Sequence, residues 1–138
     1  MLSTETSLPH VWRPSLIAAE ATRLSLRKFT KESWSAFDPA PLLWSSQLDC
    51  ICDHMSYVAS GDIRFLLLNV PPRTSKSSVC SVAFPAWVWL EDPAAQFITA
   101  SYGLQLSIRD CLRSRNLIDS PWFQSRWGHK FRFDFDQK

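Results

Sequence analysis

Hydrophobic spacing changes character several times along this chain. Leu48, Ile51, Cys52, Met55, Val58 and Ala59 recur at three- and four-residue steps, which places them on one face of a helix over 47–59. Ser45 or Ser46 stands where an N-cap belongs, and Gly61 where a helix stops. From Arg64 to Val70 the pattern becomes a short, nearly continuous apolar run, as in a strand buried on both faces of a parallel sheet. Asn69 to Ser75 is a tight polar loop containing Pro71-Pro72, and Ser77 to Phe84 reads as a helix that Pro85 kinks or ends. Gln96 to Ser101 reads as a second strand. Leu104, Ile108, Cys111 and Ile118 mark another helix, closed by Asp119-Ser120-Pro121. Phe131, Phe133 and Phe135 alternate with Arg132, Asp134 and Asp136, the pattern of a half-buried strand.

Upstream, Thr30 is placed to cap a helix beginning Lys31-Glu32-Ser33-Trp34, which Pro39 and Pro41 end. Leu16 to Leu26 admits a loose helix with nothing evident to anchor it. Residues 1–28 therefore form an expected polar, poorly ordered leader, 29–62 an N-terminal helical segment, and 63–138 the core. Strand, loop, helix, strand, helix, strand implies an α/β fold with crossover connections.

Composition narrows the class without naming it. The 138 residues suffice for one ordinary domain, and 46% apolar with 20% charged residues is a globular balance. Nine Phe and seven Trp supply a core, while three Gly against nine Pro leave few flexible hinges. No internal period appears, and the longest apolar stretches, Phe65 to Leu68 and Trp87 to Leu90, are far shorter than the ~20 residues of a membrane helix. No secretory pattern opens the chain, so a cytoplasmic protein without disulfides is expected. Residues 103–138 carry seven basic and four acidic groups, a mildly basic quarter consistent with an ordinary solvated surface or a nucleic-acid footprint. Cys50, Cys52 and His54 do not make a metal site. Positions 50 and 52 diverge by about 200° on a helix, and no second Cys/His pair completes four ligands.

The turn between the first apolar run and the following helix carries the candidate chemistry. Phosphate-binding loops follow a buried strand, open a helix, and end in Lys followed by Ser or Thr. Backbone amides at the helix N-terminus surround the phosphate, lysine reaches the outer phosphates, and the hydroxyl binds Mg²⁺. Lys76 and Ser77 occupy those places. Both glycines of the usual pattern are missing, with Val70 at the first and Ser75 at the second. Pro71 and Pro72 have no N–H to donate, so the cradle falls to the amides of Arg73, Thr74, Ser75, Lys76, Ser77 and Ser78. Arg73 adds a fork-shaped donor suited to phosphate, or else makes a surface salt bridge.

The stretch Asn69-Val70-Pro71-Pro72-Arg73-Thr74-Ser75-Lys76-Ser77 resembles the deviant Walker A motif of the large terminase subunit of tailed bacteriophages. Other segments follow in the same order: Trp44 through His54, Ser81 to Trp87, Ser101-Tyr102 with Leu106, Arg109 and Arg113, and Ser120 to Gln124 with Arg126-Trp127-Gly128. The similarity spans about residues 29–136. It implies an incomplete P-loop NTPase core of a motor that drives double-stranded DNA into a capsid through a portal, with ATP and Mg²⁺ as cofactors and the terminase small subunit as a partner, in a bacterial host cell. By position, Lys76 would hold the β/γ-phosphates, Ser77 the Mg²⁺, and Arg73 the γ-phosphate. Gln47 would contact adenine, or serve simply as a helix N-terminal residue.

The resemblance also has a gap. An apolar strand ending in Asp-Glu is not found: Trp87 to Asp92 imitates it only 15 residues beyond Lys76, at the end of the helix leaving the loop. No catalytic acid is therefore assigned. The expectation is the front part of a large subunit, lacking Walker B and the nuclease, as a truncated gene, a split gene or a prophage remnant. Two functions follow: an ATP-binding segment that does not turn over alone and works with the missing C-terminal part, or a non-enzymatic remnant or interaction protein.

Overall fold

The computed structural model describes residues 14–130. Its elements are α1 (Pro14–Arg23), α2 (Leu26–Phe37), α3 (Ser46–Ser60), α4 (76–88), α5 (Leu104–Asp119) and α6 (Pro121–Trp127). Helix α4 opens α-helical, widens to a π-helix over Ser78–Ala83 and ends as the α-helical turn Phe84–Val88. None of these helices is long and apolar enough to cross a membrane.

The described residues do not form the expected α/β architecture, an incomplete P-loop core, but a helical one. No residue among those described is in a strand. Residues 64–70 and 96–101 have no regular secondary structure, and their backbones hydrogen-bond to no other described residue. A strand needs a neighbouring backbone to pair with, and neither run has one among the described residues. The alternation expected of an extended chain survives. Leu66 and Leu68 turn inward onto a hydrophobic cluster, while Phe65 and Leu67 are 94% and 92% exposed. The run is thus covered on one face only, against the expectation of two. The proposed strand at Phe131 to Phe135 lies outside the described residues.

Several helices form where the sequence placed them, with different ends. Helix α3 matches its periodicity and stops at Gly61, whose φ of 83° uses the left-handed freedom of glycine. Helix α2 starts a turn earlier than Thr30. Ser25 is its N-cap and accepts from the Lys28 amide at 3.3 Å, while Thr30 is fully buried in mid-helix. Pro85 does not end α4. It sits just after the π-helical stretch, and the helix continues through it to Val88. Helix α6 follows α5 directly, because Ser120 accepts from the Phe123 amide and Pro121 occupies the first turn.

Helix α1 gains its anchor from tertiary contacts. Ala19 and Thr22 are buried, Thr22 Oγ1 lies 2.9 Å from Glu32 Oε2, and the Trp87 indole N–H donates to the Arg23 carbonyl at 2.7 Å. Two hydrophobic clusters flank α4. One gathers Phe29, Trp34, Phe37, Val82, Ala86, Leu117, Phe123 and Trp127, and the other Leu26, Leu48, Ile51, Met55, Val79 and Phe84. In the first, Phe29 is fully buried and meets the rings of Trp122, Phe123 and Trp127 at centroid distances of 5.6, 6.4 and 5.9 Å.

Phe29→Ala should cost about 3–5 kcal/mol by leaving a cavity among those rings. Leu43→Ala, at a position 83% exposed, should change stability by no more than about 0.5 kcal/mol. Urea unfolding followed by tryptophan fluorescence measures both, and equal effects would contradict this packing.

Candidate functional site

The polar loop and α5 enclose a cleft of about 450 Å³. Residues Pro71 to Ser78 form one wall, and Arg109 and Arg113 the other. The structure therefore brings the proposed phosphate residues Arg73, Thr74, Ser75, Lys76, Ser77 and Ser78 together at the start of α4. The Val79 amide donates to the Ser75 carbonyl at 3.1 Å, so the amides of the first turn precede the first helical bond. Thr74 Oγ1 donates to the Pro71 carbonyl at 2.9 Å and closes the turn behind the prolines.

Two non-glycine residues in this loop have left-handed backbones, Arg73 at φ 66° and Ser75 at φ 59°. The second is the position at which the usual motif has its last glycine. Ser75 thus adopts the conformation that glycine normally supplies, at a steric cost of about 1–2 kcal/mol. Alternation of left- and right-handed backbone turns successive N–H groups toward one point, a concavity suited to anions.

The charges in the cleft are unequal in role. Arg113 donates to the Phe37 carbonyl at 3.2 Å and to Ser78 Oγ at 3.3 Å, and forms an ion pair with Asp38. Arg109 pairs with the adjacent Asp110. Arg73 and Lys76 form no ion pair with another described residue, so the cleft carries an excess of two positive charges. No carboxylate lines it among the described residues. The acids nearest the expected motif are engaged elsewhere: Glu91 pairs with Arg23, and Asp92 accepts from the Ala94 amide at 3.1 Å. A Mg²⁺ here would have the Ser77 hydroxyl and the ligand's own phosphates, and no group of three or more His, Cys, Asp or Glu that could hold a metal occurs among the described residues.

A second cleft of about 430 Å³ opens on the other side of Lys76 and Ser77, lined by Met55, Val58, Leu66, Leu68 and Cys80. Burial pushes the Cys80 thiol up to about 11, although the nearby Lys76 opposes the shift. Gln47 is exposed in the first turn of α3 and lines neither cleft. Arg109 and Arg113 were not assigned to the site from sequence. Their four-residue spacing, which stacks them on one helix face, was the available signal.

Comparison with family models, curated proteins and solved structures gave no match to this chain.

Ser75→Val should lower stability by about 1–2 kcal/mol, because a β-branched side chain tolerates positive φ poorly. Ser75→Gly should leave stability equal or slightly higher, since the relieved strain is offset by the unfolded-state entropy of glycine. Chemical denaturation of the two variants checks this, and a neutral Ser75→Val would mean that the loop is not left-handed at this position.

Proposed function

We propose that the 71–78 loop binds the phosphates of ATP, and that the chain is the nucleotide-binding segment of a DNA-packaging motor of the terminase large-subunit type. The observation that supports the first part is the left-handed Ser75 directly before Lys76 and Ser77, at a helix start with two unmatched positive charges. The wider reading rests on the ordered resemblance of the flanking segments. The helical frame takes the place of the sheet-based core that the resemblance implied.

Binding and turnover separate on chemical grounds. Lys76, Arg73 and the first-turn amides provide charge for phosphates, and Ser77 a hydroxyl for Mg²⁺ delivered with the nucleotide. Phosphoryl transfer to water also needs a group that orients the nucleophile. The cleft offers no carboxylate or amide side chain for that role among the described residues.

A second reading, a non-enzymatic interaction protein, is favoured by the extended segments. Phe65, Leu67 and Ile98 are each more than 90% exposed on backbone that has no hydrogen-bonded neighbour among the described residues. Such an edge is a template for pairing with another chain.

Two experiments test these readings. Wild-type chain should bind Mg-ATP in equilibrium dialysis, and Lys76→Ala should weaken it at least about tenfold, near 1.4 kcal/mol. Steady-state phosphate release should be no faster for wild type than for Lys76→Ala, and Lys76-dependent turnover would overturn the separation of binding from hydrolysis. Light scattering should show self-association that Phe65→Ser with Leu67→Ser reduces. A monodisperse wild-type monomer would remove the support for the second reading.

A further inference from the structure

The wall of the cleft opposite the loop contains an arginine with an unusual neighbour. We propose that Arg109, held by the buried carboxylate of Asp110, takes a second phosphate group, so that the cleft selects a chain of phosphates over a single one. This rests on the phosphate reading of the 71–78 loop.

Asp110 has a side chain only 8% exposed, and a carboxylate so placed requires a cation or donors. Its partner is the preceding residue. Arg109 Nε and Nη2 both donate to Asp110 Oδ1, at 2.9 and 2.8 Å. Adjacent residues on a helix diverge by about 100°, so the guanidinium is folded back across α5 to reach that oxygen. This uses two of its five N–H groups and leaves three. The side chain remains 52% exposed and lines the cleft. An arginine fixed at one end and open at the other is ready to bind phosphate without first losing its rotational freedom.

Arg113 lies one turn further along α5 and is committed to holding Phe37, Asp38 and Ser78. It touches the first turn of α4 at Ser78, and Arg109 stands about 6 Å along the helix from it. The phosphate on the amides of 76–78 and on Lys76 is therefore not the group that Arg109 faces. Arg73 and Lys76 already match one phosphate in charge. Arg109 adds donors where a second phosphate of the same chain would lie.

The test compares AMP, ADP and ATP, each with Mg²⁺, on wild type, Arg109→Gln, Arg109→Lys, Asp110→Asn and Lys76→Ala, with circular dichroism confirming the fold. Wild-type affinity should rise with each added phosphate. Arg109→Gln should weaken ATP about tenfold and AMP less than about twofold. Arg109→Lys should restore part of the difference, since it retains charge without the fork. Asp110→Asn should lower the ATP-to-AMP affinity ratio, whereas a merely structural defect would weaken both nucleotides alike. If Asp110→Asn unfolds, the two Arg109 variants decide the matter. An unchanged ratio in Arg109→Gln, with binding still lost in Lys76→Ala, would overturn this proposal and leave the loop reading intact. Failure of wild type to bind any of the three would overturn both.

Discussion

The guanidinium of Arg113 is the joint on which this arrangement depends. It reaches the C-terminal end of α2 through the Phe37 carbonyl and Asp38, and the first turn of α4 through Ser78. It also lies 5.4 Å from the Phe37 ring centroid, in cation–π contact. Three helices that are distant in sequence are thereby fixed around one planar cation. Both Arg113 and Asp38 are less than one-fifth exposed, so loss of either would leave the other charged and poorly solvated. The loop before α4 has no regular structure of its own, and its position against α5 follows from this joint.

Apolar burial supplies the rest of the frame. Helix α4 is central, presenting Val82, Ala83 and Ala86 to one cluster and Val79 and Phe84 to the other. Its π-helical stretch inserts a wider turn between Ser78 and Phe84, which shifts the faces on which these residues appear. The tryptophans add directional bonds to the apolar area. Trp34, Trp87 and Trp89 donate to the carbonyls of Ala40, Arg23 and Ala95, so loops and the end of α1 are tied to the core.

The loop and α5 together face a cleft lined by four basic side chains and by no carboxylate among the described residues. Positive groups converge from two elements, left-handed backbone orients amides, and the described carboxylates nearby are neutralised by arginines. This combination is what the proposed phosphate reading rests on. It also leaves the extended segment beside the loop with one apolar face packed and the other open.

Residue pattern alone determined α3 and its glycine stop, the helix leaving the polar loop, and the lysine beside a hydroxyl at its start. These are local matters: periodicity, a residue free to adopt positive φ, and a lysine beside a hydroxyl. It did not determine the fate of Phe65 to Leu68. An apolar run becomes a strand only when another backbone pairs with it, and that depends on distant parts of a chain. The same limit explains α5, where Leu104 and Ile108 mark a helix but face outward, while Asp110 and Ser114 are buried. Spacing identified the helix, and packing against α2 and α4 chose its inner face. The left-handed turn at Ser75 and the placement of Arg109 and Arg113 across the cleft were likewise tertiary decisions, since no local rule favours a serine at positive φ or says which helix will lie opposite a loop.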